Sequence, residues 1–214
     1  MAFFWTNVGI DVQTALAAAV SVTSISKAAT GVVTYGGSIH PANGDYILLS
    51  SNGMFQLDDR IFRVANVNTV AKTFELEGED TTSYDTFASG SYQIITFGAS
   101  FKTVQSISPS GGGYEETDLT TIHDVMRKTA PTIAQAMNFE MTNFFDLTDP
   151  GFVECNKAFK SKTKRAIRMR FGAGAKFLFN GYVGAAGTPT GQALGAVQTP
   201  VSIKAQNLPT VYAS

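Results

Sequence analysis

The sequence predicts a mainly β fold, a small barrel or sandwich with one flanking α-helix at about residues 150–162 and a β-rich N-terminal module. Short β-rich runs separated by Gly- and Asn-containing turns fill residues 21–97. Residues 133–145 alternate in polarity with the period of two that a half-buried strand shows. Helical spacing with a clear start signal is found after Asp149. At 214 residues the chain is long enough to bury a core in one or two domains.

These patterns divide the chain into an N-terminal strand or arm at 1–24, a β-rich module at 25–96 and a core at 97–214. The first segment carries Phe3, Phe4 and Trp5, which have no obvious local partner. It is either a first strand within the core or an arm that packs on a neighbouring subunit. Strands are expected in the module at Val32–Tyr35, Tyr46–Leu49, Arg60–Ala65, Thr73–Glu77 and Ser91–Phe97.

The core is organised around Gly111–Phe145. Its triple glycine allows the backbone to turn sharply or to approach another chain closely. An acidic segment follows, and Thr120–Lys128 is then expected to form about two helical turns, which Pro131 prevents from extending. From Ile133 to Phe145 the odd positions are mostly apolar, so a single long strand is expected there.

The predicted helix begins with Asp149 as N-cap and Pro150 at its first position. Phe152, Cys155 and Phe159 share one face of it, and lysines lie toward its C-terminal end. Three further strands are expected after it, at Arg165–Phe171, Ala175–Gly184 and Val197–Ala205.

Residue types that support catalysis or metal binding are sparse. His40 and His123 are the two histidines, Cys155 is the one cysteine, and they do not form a ligand cluster at metal spacing. Cys155 is expected to be buried as a small hydrophobe. The sequence therefore predicts no catalytic, metal or cofactor site. It also predicts no internal disulfide, no export signal and no membrane span.

The charges favour a protein that assembles. The charged fraction is 15%, against about a quarter in typical domains. Seven basic residues and no acid lie between Lys157 and Arg170, whereas eight acids and one base lie between Glu75 and Asp118. The basic run either binds DNA phosphates or meets the acidic part of another copy. We favour contact between copies because the run lacks interleaved aromatics and a recognition helix; its candidate residues are Lys164, Arg165, Arg168 and Arg170.

Several runs resemble a known family. GGGYEETDLTTIHD, the strand ending NFFD, the helix after DPG, RAIRMRFGAGAKFLFNGYVG and TPVSIKAQNLPTVYA look like the tail tube (major tail) protein of long, non-contractile bacteriophage tails, over residues 97–214. Residues 25–95 resemble a β-rich module inserted in phage tail proteins. They also resemble the first catalytic cysteine half-domain of ubiquitin-activating enzymes, through turn and core residues such as His40, Asn43–Asp45, Phe62–Val64 and Thr73–Gly78.

The resemblance implies a tail-tube-like sandwich or barrel whose copies form hexameric rings stacked into a tube in the virion tail, after assembly in the host cytoplasm. It implies a tape measure protein, tail terminator and tail tip proteins as partners, transient passage of double-stranded DNA, and no cofactor or membrane. The lumen of such tubes is commonly acidic, so the candidates for its lining or for subunit contacts are Glu115, Glu116, Asp118 and Glu140. Candidate loops between rings contain Asn52, Gly53, Asp58, Thr188 and Gly191.

Two other functions stay open at this point. A tail-associated adhesin or decoration module would use residues 25–95 to touch a host surface, and it would form no tube. An enzyme is the second alternative, for which the sequence offers no site.

Overall fold

A computed structural model describes residues 8–172 and 174–213, and it confirms a mainly β fold with one flanking helix. Phe3, Phe4 and Trp5, for which two alternative roles are predicted, lie outside the described residues. The strands are β1 Gly9–Leu16, β2 Val20–Ile25, β3 Val32–Tyr35, β4 Tyr46–Asn52, β5 Arg60–Asn68, β6 Thr73–Leu76, β7 Ser89–Ser100, β8 Val104–Ser110, β9 Tyr114–Asp118, β10 Thr129–Ala134, β11 Asn138–Phe144, β12 Lys164–Arg170, β13 Lys176–Gly184, β14 Gln198–Ala205 and β15 Thr210–Tyr212. The helix α1 spans Pro150–Ser161, and a short 3-10 turn spans Phe55–Leu57.

Six strands close into a small barrel in the order β2-β3-β6-β5-β4-β7, with β7 pairing back to β2. Every pairing in it is antiparallel. Its interior is filled by apolar side chains, among them the edge-packed rings of Tyr35, Phe74 and Tyr92. A closed barrel of this kind has no free sheet edge.

A second sheet, the C-terminal sheet, has the order β1-β12-β13-β14-β11-β8, with β15 added beside β13. Its inner face and α1 enclose one core, which contains Ile167, Met169 and Phe152. The helix begins as predicted, since the Asp149 carboxylate accepts the Phe152 N–H at 3.1 Å. It ends at Lys162, whose left-handed backbone closes the last turn.

The barrel packs against the outer face of the C-terminal sheet. Tyr46 and Ile61 of the barrel pack against Ala166 and Leu178 of the sheet, and Tyr212 is buried in the same cluster. β1 connects the two parts because it pairs with β7 on one side and β12 on the other. The predicted boundary between residues 96 and 97 falls inside β7, which serves both parts; the three-part division stays a prediction.

Two local predictions in the stretch Gly111–Phe145 are wrong. Residues 120–128 form no helix and instead make the tip of a hairpin between β9 and β10. The alternating run is not one strand either, since its first part belongs to β10 and its second part to β11. In β11 the alternation places Phe139, Met141 and Asn143 in the core, whereas Ile133 in β10 is exposed. A period of two fixes which residues share a face and does not fix what covers that face.

Candidate functional site

The described residues contain no cluster of three or more His, Cys, Asp or Glu side chains arranged to hold a metal ion. The His40 Nδ1 lies 2.8 Å from the Tyr35 hydroxyl, so this histidine supports the aromatic end of the barrel. His123 is exposed at the hairpin tip, where its N–H is 3.4 Å from the Thr121 hydroxyl. No helix in the described part of the chain is long and apolar enough to cross a membrane.

Cys155 is fully buried on the inner face of α1. Burial raises the pKa of its thiol to about 12, because the charged thiolate loses its hydration there. We therefore predict that iodoacetamide at pH 8 leaves Cys155 unmodified in the folded chain and modifies it after unfolding in urea. Mass spectrometry of the alkylated protein measures this, and rapid modification of the folded chain would contradict the burial.

A buried cluster of ion pairs and hydrogen bonds surrounds Asp11 of β1, which is 2% exposed. Arg170 donates to both Asp11 carboxylate oxygens, at 2.6 and 2.9 Å, and the Arg168 Nε donates to Asp11 Oδ2 at 2.9 Å. The Ser100 hydroxyl donates to Asp11 Oδ1 at 2.6 Å. The Arg168 guanidinium also lies over the Phe97 ring, 4.5 Å from its centroid. This cluster joins β12, β1 and β7, where the barrel meets the C-terminal sheet.

Most of the predicted basic residues thus have acidic partners within their own chain. Lys164 Nζ lies 2.5 Å from Asp59 Oδ2, between the C-terminal sheet and the barrel. Arg165 Nη1 contacts the Thr163 hydroxyl and the Lys164 carbonyl oxygen. The acidic stretch behaves in the same way, since Glu77 and Glu79 pair with Arg63 and Arg60. Each of the two runs therefore has ionic partners elsewhere in its own chain: Asp11 and Asp59 for the basic run, and Arg60 and Arg63 for the acidic stretch.

A hairpin that projects from the C-terminal sheet is the least covered part of the described chain. β9 and β10 pair with each other and form a separate two-stranded sheet. Gly111 has φ +80 at its base, and a Cβ there would lie 2.3 Å from the Ala136 carbonyl oxygen, so only glycine fits this exit turn. The hairpin exposes large apolar side chains: Tyr114, Leu119, Ile122, Val125, Met126 and Ile133. Ile122 is 96% exposed and Val125 is 104% exposed.

Polar contacts shape the hairpin tip internally. Leu119 N–H donates to Lys128 O at 2.8 Å, and the Thr121 hydroxyl donates to Asp124 at 2.9 Å. Arg127 Nε lies 3.2 Å from Asp118 Oδ2 in an exposed ion pair. Hydrogen bonds from Thr120, with help from Arg127, hold the pKa of Asp118 below its usual value. The tip is therefore a defined shape that presents apolar side chains outward.

The structure separates the four predicted acidic residues. Glu115, Glu116 and Asp118 lie on β9 of the hairpin, all exposed. Glu140 lies on β11, next to the edge strand β8, on the outer face of the C-terminal sheet. The first three therefore share a surface with the apolar tip, and Glu140 belongs to another surface.

That second surface, the serine face, is the outer face of β8, β11 and β14. Cross-strand register places Ser108, Glu140 and Ser202 in one row. Neighbouring rows consist of Ser106, Thr142 and Pro200, and of Ser110, Asn138 and Lys204. These side chains are exposed or half-buried, so the face is flat, rich in hydroxyls and nearly uncharged. The barrel covers the β12 and β13 end of the same sheet and leaves the serine face open.

The predicted loop residues differ in how firmly they are held. Gly53 has φ +88, and a Cβ there would lie 2.4 Å from the Thr86 carbonyl oxygen, while Asn52 O accepts the Ala88 N–H. Asp58 accepts the Ser51 N–H at 2.9 Å. Thr188 and Gly191 are exposed in the connection between β13 and β14. The loop after β4 is therefore held by contacts within its own chain, whereas the connection between β13 and β14 is exposed to solvent.

Sequence reasoning missed three of these features. It did not connect Asp11 with Arg168 and Arg170, because the partners are 157 and 159 positions apart. It assigned the hairpin tip to a helix, although Pro131 and the glycines at its base were available signals. It noted the even face of β11 but not the serines of β8, which only strand pairing brings beside it.

The comparison with known families supplies one match. A family described as "Phage tail tube protein, TTP" matches residues 52–214, which include the hairpin, the serine face, α1 and the barrel from the end of β4 onward. No curated protein matches the chain. Nothing supports the likeness of residues 25–95 to ubiquitin-activating enzymes.

Proposed function

The chain belongs to the phage tail tube protein family, and from this premise we propose that its copies form hexameric rings which stack into the tube through which genomic DNA leaves the virion. Family membership implies a structural role in the virion tail and self-association into a tube. The number of copies in a ring, the stacking, the passage of DNA and assembly in the host cytoplasm belong to the proposal. So do its contacts with a tape measure protein and with tail terminator and tail tip proteins.

The observation that carries the proposal is the projecting hairpin. A two-stranded hairpin by itself is marginally stable in water, and six large apolar side chains on it face solvent. Exposed apolar sets of this size mark interaction sites. Because the tip has its own internal hydrogen bonds, it is already shaped to enter a neighbouring copy. We assign the hairpin to contacts between copies, with Glu115, Glu116 and Asp118 at the rim of that contact.

We assign the serine face to the lumen of the tube. DNA binds surfaces mainly through cations that neutralise its phosphates, and on this face Lys204 is accompanied by Glu140. Hydroxyls without a surplus of positive charge let a polyanion pass without holding it. Glu140 is therefore our candidate for the lumen lining.

The remaining candidate contacts follow from their partners in the chain. Arg165 contacts hydroxyl and carbonyl oxygens, so its charge is available to an acid of another copy. Asp59 and Asp11 pair with the other three basic residues, Lys164, Arg168 and Arg170, within the same chain. Only the solvent-exposed part of each of these side chains is available for a contact with another subunit. The connection with Thr188 and Gly191 is the better candidate for contacts between rings, because it is exposed.

Electron microscopy of the purified chain tests the proposal directly. We expect hollow rings or tubes in negative stain at concentrations where sedimentation shows large assemblies, with six-fold symmetry in end views. A chain that stays monomeric at high concentration and binds a host-surface glycan would contradict the tube and support the adhesin or decoration module. Rings with another symmetry would contradict the proposed number of six copies per ring but not the proposed tube.

A further inference from the structure

An amine, a carboxyl group and a carboxamide meet where the barrel packs against the outer face of the C-terminal sheet. The carboxylate belongs to Asp59, in the turn before β5, and it contacts the other two groups through different oxygens. Its Oδ2 lies 2.5 Å from Lys164 Nζ of β12, and its Oδ1 accepts a hydrogen bond from Asn180 Nδ2 of β13 at 2.8 Å. A nucleophile, an acyl group and an acid–base group in contact with both are what an acyl transfer requires.

Strand pairing brings the amine and the carboxamide to the same place on the sheet. Lys164 is opposite Tyr182, and Ala166 is opposite Asn180, so Lys164 and Asn180 are diagonal neighbours on one face. Long side chains reach each other across such a diagonal. Because both groups contact one carboxylate, the lysine side chain extends toward the asparagine and not away from it.

The backbone around Asp59 holds its carboxylate in position. Asp59 has a left-handed backbone with φ +59, a conformation that costs energy in any residue other than glycine. Its N–H donates to Leu49 O at 2.8 Å, and Asn207 Nδ2 donates to the neighbouring Asp58 O at 2.5 Å. These contacts fix the turn from both sides, so the carboxylate does not have to move to reach its two partners.

The carboxamide of Asn180 lies in a site that excludes water. Asn180 is 3% exposed, and its Oδ1 is buried and accepts no hydrogen bond from the described residues. Lys164 Nζ lies 5.8 Å from the centroid of the Tyr182 ring, which covers it on another side. A buried amide with an unpaired oxygen contributes little to stability, so its presence calls for another explanation. Exclusion of water favours attack by the amine over hydrolysis.

We propose that Lys164 and Asn180 form an amide bond between their side chains, with Asp59 transferring the protons. Asp59 accepts a proton from the Lys164 ammonium group, and the neutral amine attacks Asn180 Cγ, so that an Nζ–Cγ bond forms. Asp59 then donates its proton to Nδ2 and accepts a second proton from Nζ. The Cγ–Nδ2 bond breaks, and Nδ2 leaves as ammonia. An amine and a primary amide become a secondary amide and ammonia, so the step needs no oxidant or reductant.

The bond would join β12 to β13 covalently beneath the barrel. It forms within one molecule, so it does not depend on whether copies assemble. Tubes are scored separately by microscopy, and the failure of either proposal leaves the other standing.

Mass spectrometry of the purified parent chain tests the bond directly. The intact mass is expected to be about 17 Da below the value calculated from the sequence, which is the mass of one ammonia. Trypsin cannot cleave after a modified Lys164, so the digest is expected to contain residues 163–165 joined to residues 177–204 in one branched peptide. A parent chain at full mass, with separate peptides after prolonged incubation, would overturn the proposal.

Substitutions separate this bond from a cyclic imide, which also releases ammonia when the backbone nitrogen of Gly181 attacks Asn180. Lys164→Arg removes the amine and keeps the charge, so it is expected to restore the full mass. The matched control is Lys176→Arg on β13, which is expected to keep the mass loss. Asp59→Asn should slow bond formation about 100-fold or more, because it removes the group that transfers the protons. A mass loss that persists in Lys164→Arg, or that is unchanged in Asp59→Asn, would contradict the proposed reaction.

Discussion

Replacing Ile122 and Val125 of the hairpin tip by aspartate is expected to abolish tube formation and to leave the single chain folded. Both side chains are almost fully exposed, so the folded chain loses no packing when they change. In a contact between copies, each would bury most of its apolar surface, which stabilises association by about 1.5–3 kcal/mol per side chain. Aspartates at the same positions would instead have to lose hydration inside the contact. The affinity of each hairpin contact should therefore fall on the order of 100-fold or more.

Val70→Asp is the matched control for this prediction. Val70 is 94% exposed on the barrel, away from the hairpin, and it undergoes the same chemical change. Tubes are counted in negative stain, and the free energy of unfolding is measured by urea titration. We expect tubes in the control and none in the hairpin variant, with unfolding free energies within about 0.5 kcal/mol of the parent chain. Normal tubes from the hairpin variant would remove the hairpin from the proposed contact.

Asp11→Asn is expected to produce the largest loss of stability among single polar substitutions. Asp11 is 2% exposed and balances the charges of Arg168 and Arg170, so its removal leaves two guanidinium groups beside a neutral amide. Breaking a buried ion pair from one side costs about 3–5 kcal/mol, and the partial exposure of Arg170 favours the lower value, about 3 kcal/mol. Because the cluster joins the barrel to the C-terminal sheet, the loss should appear in the unfolding of both.

Asp118→Asn provides the control, since Asp118 forms an exposed pair with Arg127 on the hairpin. Water and salt screen exposed pairs and leave them little net contribution, so this variant should unfold nearly as the parent chain does. Both are measured by urea titration at pH 7. Equal stability of the two variants would show that the Asp11 cluster does not hold the two parts together.

The same cluster predicts a dependence on pH. Burial by itself would raise the pKa of Asp11, but hydrogen bonds from Arg170, Ser100 and Arg168 outweigh it and hold the pKa below the usual value. A carboxylate whose pKa is lower in the folded chain contributes stability above its unfolded pKa, about 3.9, and this contribution is lost as pH falls further. The difference in unfolding free energy between the parent chain and Asp11→Asn should therefore shrink below about pH 4. A constant difference down to pH 2 would contradict this.

The elements of this fold follow closely from local sequence. Asp149 and Pro150 fix the start of the helix through short-range chemistry, and the turn residues around Asn43–Asp45 delimit β4. The predicted strands of the barrel and of the C-terminal sheet are found within a few residues of their expected bounds. The tail tube resemblance likewise rested on runs of local sequence, and the family match confirms it.

What surrounds those elements was decided by tertiary structure. Of the alternating run Ile133–Phe145, residues 138–144 form β11 and pack one face on the core, whereas Ile133 lies in β10 and is exposed, because the hairpin forms a sheet of its own. Nothing in the local sequence distinguishes Arg168 and Arg170 from cations on an exposed strand face. The pairing of β1 with β12 brings Asp11 into contact with both. Local sequence thus determined which residues form strands and which share a face. Strand order, which depends on contacts far apart in the chain, determined which faces are buried, which ions pair and which surface remains for another copy.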